Sequence, residues 1–405
     1  MNNFRRISDT NPKILQYKQR ILEYFMLSGP DTFTTVAKKL DLSVPTATKF
    51  INELCAENVL SCYGKLETAG GRHPHIYGLN PACYYFIGVD LGLDRLHIAL
   101  IDFTGNKITE YTNTSFCFTN EEGCLDTICE HINTFIGSLS IPRADIGCIG
   151  VNIFGRLNPE TGYSYTYFNF DEQPLSEKLS SKLGIVTFID NDTRACAYGE
   201  YMLHLKDMGE NILFVNLAWG LGLGIIINGE PYMGHSGFAG EFGHIHAYNN
   251  EILCHCGKKG CLETEASGSA MYRKFIKRIQ GGGTSILVQG AYAKPLTEIK
   301  LDDIIWAVRN EDILCIDLLE EIGGQLGMHI AGLINLFNPD IVVIGGTLSS
   351  TGDYLMHSIR SAIRKYSLNV VNQDTLIRLS LLQEHAGSIG ACMLARKKLI
   401  ASITT

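Results

Sequence analysis

Three cysteines stand within eight residues, Cys254, Cys256 and Cys261 of CHCGKKGC, and Glu263 follows closely. Three thiolates and one imidazole make a closed tetrahedral zinc set, the structural rather than the catalytic kind. Gly257 and Gly260 bend the loop so that the thiols can converge. On spacing alone the fourth ligand is open among His244, His246 and His255. Without a metal the segment is three free thiols in a loop, but the crowding of Cys with Gly favours zinc.

Two glycine turns have the makings of a phosphate cradle, because successive backbone N–H groups in such turns face an anion. They are DLGLD, which contains Asp90 and Gly92, and AWGLGLG, which contains Gly220 and Gly222. Each alone is weak evidence, since tight hairpin turns need glycine anyway.

The elements that hold these residues belong to a chain of 405 residues, 45% hydrophobic and 19% charged. That is ordinary globular composition, with length for about two to three domains. No apolar run is long enough to span a bilayer, and MNNFRRISDTNPKILQYKQR has no apolar core or cleavage site, so a cytoplasmic protein without membrane contact is expected. Of thirteen cysteines, several such as Cys83, Cys148 and Cys392 sit singly in apolar segments, which suits buried thiols better than a disulfide framework. Net charge is −8, yet residues 1–80 hold ten Lys/Arg against seven Asp/Glu, and the rest 24 against 35. Any nucleic-acid contact therefore belongs to the N-terminal segment.

In that segment KILQYKQRILEYFML places Ile14, Tyr17, Ile21, Tyr24 and Phe25 at helical spacing, and SGPD stops the helix. TFTTVAKKL predicts a short second helix. Ser43 caps a third, in which Pro45 is tolerated because first-turn amides have no intrahelical partner. Ala47, Ile51 and Leu54 form its apolar stripe, and Thr46, Thr48, Lys49 and Asn52 lie away from it. VLSCYG and IYGLN then read as a hairpin around a polar tip with Gly70, Gly71, Arg72 and His73. Three helices and a hairpin resemble a winged helix-turn-helix. In that module the third helix enters the major groove and the wing lies along phosphates, so Thr46, Thr48, Lys49, Asn52 and Arg72 are the expected contacts to a double-stranded operator. A small helical protein-binding module is the plainer alternative. Arg5 and Arg6 read as a loose tail rather than a minor-groove arm.

From Tyr84 the pattern is α/β. YYFIGVDLG, RLHIALIDF and KITEYTNTSF predict three strands, followed by an amphipathic helix and the buried strand IGCIGVNIFG. NILFVNLAWGLGLGIIINGE repeats the strand, glycine turn, strand theme, and FNPDIVVIGGTLS is a later strand ending in glycines. Two related halves of this kind suggest an actin-like ATPase (ribonuclease H-like) two-lobed body. The expected divisions are a winged helix-turn-helix over 1–80, a first lobe over 81–195, a second lobe with the metal loop over 196–388, and a helix over 389–405 returning to the first lobe.

A winged helix, an actin-like body and Glu-x-Gly-His before Cys-x-Cys-Gly-x-x-Gly-Cys-x-Glu together resemble the ROK family of repressors, open reading frames and sugar kinases. The N-terminal reader places the likeness in the repressor branch, whose members answer to glucose, N-acetylglucosamine or xylose. The resemblance implies His244 as the fourth zinc ligand beside Cys254, Cys256 and Cys261. It implies sugar contacts at Asn191, Asp192, Glu241, His244 and Glu263, with Asn169 and Gly155 matching the substrate loop more weakly. Asp192 matches the kinases' general base, and Phe154 replaces a family proline.

Against the kinase pattern, Leu93 and Asp94 replace Gly-Thr in the first turn, and Ala218 and Trp219 replace Gly-Thr in the second. Both hydroxyl donors are gone, and Asp94 adds negative charge where a triphosphate would sit. ATP and Mg2+ are therefore not expected as cofactors, zinc is, and Asp192 becomes a vestigial base that accepts hydrogen bonds from sugar. The expected function is a sugar-responsive DNA-binding regulator, a repressor acting as a homodimer or homotetramer with a sugar or sugar-phosphate effector. The rival is an active ATP-dependent sugar kinase with an appended reader. A sensor working through a partner protein is the third class.

Overall fold

The computed structural model describes residues 6, 7, 9, 11–66 and 73–404; Arg5 and Arg72 lie outside the described residues. The chain divides into two compact units, Met1–Ala195 with Gly387–Thr405, and Cys196–Ala386.

The first unit opens with α1 (Pro12–Ser28), β1 (Asp31–Thr32), α2 (Phe33–Lys39), α3 (Val44–Ala56), β2 (Leu60–Lys65) and β3 (His75–Leu79). Side chains of Asn11, Thr32 and Ser43 cap the three helices. The antiparallel sheet runs β1-β3-β2, the winged-helix arrangement, and β1 is a strand where only a helix stop was expected. The buried face of α1 is also rotated from the expected stripe. Leu15, Lys18, Ile21, Leu22, Phe25 and Met26 point inward, while Ile14, Tyr17 and Tyr24 are half-buried. That face includes Lys18, whose ammonium lies 3.2 Å from Glu57, 3.4 Å from Glu53 and 3.7 Å from Asp9. Arg6 is no loose tail either: it pairs with Asp145 at 2.7 Å and stands over the Tyr84 ring.

The body of this unit contains β4 (Tyr85–Leu91), β5 (Leu96–Asp102), β6 (Lys107–Asn113), α4 (Glu122–Ser138), β7 (Ile146–Ile153), β8 (Leu157–Asn158), β9 (Tyr163–Ser164), α5 (Leu175–Leu183), β10 (Thr187–Asn191) and the start of α6 (Asp192–Glu200). Its five-stranded sheet runs β10-β7-β4-β5-β6, antiparallel through β4, β5 and β6 and parallel from β4 to β7 to β10.

The second unit repeats that plan. β11 (Ile212–Leu217), β12 (Leu221–Ile227) and β13 (Glu230–Pro231) are antiparallel. After α7 (Gly268–Gln280), α8 (Leu301–Arg309) and α9 (Ile313–Phe337), β14 (Ile341–Gly345) joins β11 in parallel. α10 (Asp353–Tyr366) and α11 (Asn369–Asp374) lead to β15 (Leu376–Leu379), parallel to β14. The order β13-β12-β11-β14-β15 thus has the connectivity of the first sheet, the duplicated ribonuclease H-like plan of actin-like proteins. The chain re-enters the first unit as α12 (Ala386–Ala401), where the Cys392 thiol lies 3.5 Å from the Phe86 carbonyl and Arg396 donates to the Phe103 carbonyl at 3.1 Å. Among the described residues no helix is long and apolar enough to cross a membrane.

Candidate functional site

In the second unit, the loop after β13 folds back on β12. Leu223 donates to the Gly240 carbonyl at 3.2 Å, Leu262 to Ile245 at 3.0 Å, and Ala247 to Gly260 at 2.8 Å. These bonds bring His244, Cys254, Cys256 and Cys261 together, with ligand atoms within 4.8 Å of one another. Cys254 Sγ lies 3.5 Å from His244 Nδ1, and the Cys256 and Cys261 sulfurs are 3.6 Å apart. A tetrahedral ion with bonds of about 2.0–2.3 Å separates its ligands by about 3.5 Å, so the donor set fits a structural zinc. Of the rival histidines, His246 is outside this cluster, and His255 forms a second group with His244 and Glu263.

Burial pushes the Cys254 and Cys261 thiols up. Burial works the same way on Cys256, but the Lys258 amide and the neighbouring thiols outweigh it and hold that thiol below its ordinary value. His244 keeps Nδ1 toward Cys254 and has Nε2 3.7 Å from Glu241, so one imidazole edge serves the cluster and the other faces a carboxylate. Glu241 is exposed.

Glu263 is buried, with Oε2 accepting the Leu221 amide at 2.9 Å and Oε1 2.9 Å from His255 Nδ1. Burial alone would raise its carboxyl. The His255 bond, the Leu221 amide and the nearby imidazoles reverse that, leaving it below the usual range. A Cβ on Gly220 would lie 2.8 Å from Oε2, so a side chain there would push against the carboxylate that holds Leu221. That same turn is closed by α7: Gly268 donates to the Ala218 carbonyl at 2.8 Å and Ser269 to Trp219 at 2.9 Å. The Trp219 ring packs 5.8 Å from Tyr272 of the same helix. Gly222 lies within β12, paired with Asn216. Sequence reasoning missed His255 as the partner of Glu263 and the closure of the turn by α7; neither has a local signature.

In the first unit, Asn191 and Asp192 sit where β10 turns into α6, and both are half-buried. Asn191 accepts the Arg194 amide at 3.1 Å and donates to the Gly155 carbonyl at 3.3 Å, which fixes its amide. Asn169 is exposed, its Nδ2 3.5 Å from the Tyr165 carbonyl. Asp90 is the penultimate residue of β4, just ahead of Gly92, and a Cβ on Gly387 would meet its carboxylate at 2.3 Å. Burial, and next the charge of Asp192, push the Asp90 carboxyl up to about 7. Leu93 and Asp94 are exposed at the turn.

On α3, Lys49 and Asn52 are exposed. Thr46 and Thr48 are half-buried, and the Thr46 hydroxyl is bonded to Ser43 at 2.7 Å.

The family model described as ROK family matches residues 86–398. The chain belongs to the ROK family. It is 30% identical over 363 residues to the xylose repressor of Caldicellulosiruptor bescii, with 88% of this chain and 89% of that protein covered. A solved ROK family transcriptional regulator, a homolog of the E. coli MLC protein, matches with a TM-score of 0.79 at 27% identity, covering 97% of this chain and 98% of its own. A ROK family glucokinase from Streptomyces griseus, solved with glucose and AMPPNP, matches with a TM-score of 0.68 at 26% identity, covering 77% of this chain and 99% of its own. Thus the glucokinase aligns with part of this chain, whereas the regulator aligns with nearly all of it.

Proposed function

We propose that this chain is a sugar-responsive, DNA-binding transcriptional regulator of the repressor kind, whose ROK body binds a sugar or sugar derivative as effector. The observation that carries the reading is the winged-helix head, with Lys49 and Asn52 open on α3, in front of a ROK body. A full-length likeness to a ROK regulator and to a xylose repressor supports it. Zinc on His244, Cys254, Cys256 and Cys261 supplies no chemistry; it fixes the loop that presents Glu241 and Glu263. Asn169, Asn191 and Asp192 are the sugar ligands of the first unit, and Glu241, His244 and Glu263 those of the second. Sugar hydroxyls both donate and accept, which suits amides, carboxylates and imidazole.

The kinase reaction is lost in this reading because the second glycine turn bonds to the first amides of α7 and carries Trp219. A helix N-terminus whose amides are taken by carbonyls has less to offer a phosphate. Effector binding favours one arrangement of two reader domains in a homodimer or homotetramer and so changes operator affinity. The test is to select duplex DNA by binding to the full chain, then measure its affinity with and without a panel of monosaccharides, disaccharides, amino sugars and their phosphates. Equal affinity across the panel removes the sensing role.

The second reading, an active sugar kinase, is favoured by Asp192, which keeps the position of a general base at the start of α6. Sugar-dependent ADP formation from Mg-ATP, abolished by Asp192→Asn, would replace the first reading with this one.

A further inference from the structure

Aromatic side chains crowd the loop that carries Gly155 and Asn169. Phe118 packs edge-on against Phe154, Tyr167 and Phe168, with ring centroids 4.8, 5.2 and 5.2 Å apart. Phe154 meets Tyr167 at 4.7 Å, and Phe168 meets Phe170 at 6.1 Å. The inner rings belong to the core of the first unit, with Phe168 inside it and Phe118 and Tyr167 packed against it, but the cluster opens outward. Phe168 is buried and Phe154 and Tyr167 are half-buried, whereas Phe170 is 39% exposed and Tyr165 55%. The open side adjoins the amides already described, since Asn169 reaches the Tyr165 carbonyl and Asn191 the Gly155 carbonyl.

The backbone here is held in a costly conformation. Phe168 has φ of 56°, in the left-handed region that a bulky residue avoids. It stays there with its N–H donated to Asn120 Oδ1 at 2.8 Å. Strain of this kind persists where surrounding structure over-determines it, and such positions cluster at ligand sites. Phe168 sets the course of the chain into Asn169 and Phe170, so the strained residue joins an amide to an open ring. Exposed aromatic rings beside fixed amides are the composition of a ligand subsite: large rigid apolar area with a few polar groups for orientation.

We propose that Phe154, Tyr165 and Phe170 form a subsite for a second ring, so that the effector is a two-ring glycoside rather than a free monosaccharide. The inference rests on the reading that Asn169 and Asn191 meet a sugar. One ring takes the amides through its hydroxyls, and the C–H face of the next ring lies on the aromatic side chains. Phe154, packed on Phe118 and Tyr167, extends the apolar surface on the Gly155 side.

The test is calorimetric titration of the full chain with glucose, xylose, cellobiose, xylobiose and the p-nitrophenyl β-glycosides of glucose and xylose. At least one two-ring ligand is expected to bind about tenfold or more tightly than its parent monosaccharide, as expected for an additional aromatic contact of roughly 1.4 kcal/mol. The disaccharide and aryl arms distinguish a glycosyl from an aryl second ring. Phe170→Ala and Tyr165→Ala, both at exposed positions, are each expected to remove most of that margin and to leave the monosaccharide Kd within about twofold. If monosaccharides bind and two-ring ligands bind no more tightly, or if the variants weaken both classes equally, the subsite is overturned and the sugar reading stands. If no saccharide binds, both fall.

Discussion

Glu263 Oε2 accepts the backbone N–H of Leu221 at 2.9 Å, so one carboxylate ties the cysteine loop to the first residue of β12. Glu263→Ala leaves that buried amide without its acceptor, at a cost of about 1–3 kcal/mol. The expected result is a lower melting temperature by calorimetry and faster hydrogen exchange at Leu221. Unchanged exchange there would show that the carboxylate does not hold the strand.

If zinc sits on His244 and the three cysteines, its removal should loosen the same loop. Thiolate ligands must be deprotonated, so acid or a strong chelator releases zinc. Elemental analysis of the purified protein is expected to find one zinc per chain, and Cys256→Ser to lose most of it together with several degrees of thermal stability. Full zinc content in Cys256→Ser would exclude the sulfur as a ligand.

Asp90 gives the protein a pH dependence of definite sign. Its carboxyl is pushed up to about 7 from 3.8 by burial and by the charge of Asp192. Between about pH 4 and 7 the folded state holds a proton that the unfolded chain has lost, so this group's contribution to stability falls as pH rises through that window. Above it the penalty is complete, on the order of 4 kcal/mol. Asp90→Asn is expected to melt higher than the parent at about pH 8, with the difference vanishing near pH 4. Denaturation curves at several pH values check this, and a difference independent of pH would refute it.

The charged cluster around Lys18 is a stability device in the head. Lys18→Ala leaves Asp9, Glu53 and Glu57 facing one another without their cation; these acids are 16–35% exposed, so the cost is expected at about 1–3 kcal/mol. Thermal unfolding should record an earlier transition, and Lys18→Ala with Glu57→Gln should restore part of it.

Lys49 and Asn52 separate two kinds of contact on α3. If Lys49 meets a phosphate, Lys49→Ala weakens all duplexes similarly and lowers the salt slope by about one. If Asn52 meets a base edge, Asn52→Ala costs about 1–3 kcal/mol on the preferred sequence and relaxes its specificity. Binding measured over a range of salt concentrations distinguishes them.

The sequence was most legible where residue type alone limits the chemistry. Three cysteines spaced among glycines pointed to a loop whose thiols converge, and the fold brings them together with His244, while Ser43 before Pro45 marked the start of α3 because caps are local. The residues that escaped are paired across long stretches of chain. Lys18 lay outside the apolar stripe read for α1, and its three acids come from elsewhere in the chain; Asp31 read as the end of a helix stop and Thr32 as the start of the next helix, until β3 lay beside both. Glu200 is an extreme case: fully buried, it accepts Ser380 Oγ at 2.7 Å and the amides of Leu381 and Leu382 at 2.8 and 3.1 Å. Nothing near Glu200 in sequence announces those donors. The candidate sugar residues lie between these cases, since they were singled out by likeness to a family and their hydrogen-bond partners are seen only in the fold.

The placement of α12 has a consequence for biosynthesis. Cys392 meets the Phe86 carbonyl across 306 positions of sequence, and α12 lies in the same compact unit as β4 and β5. During translation that first sheet therefore waits, one wall missing, while the whole second unit is made. A nonsense codon shortly before Ala386 would spare the winged-helix head and the whole cysteine loop, yet deliver a nascent chain with its oldest sheet still uncovered.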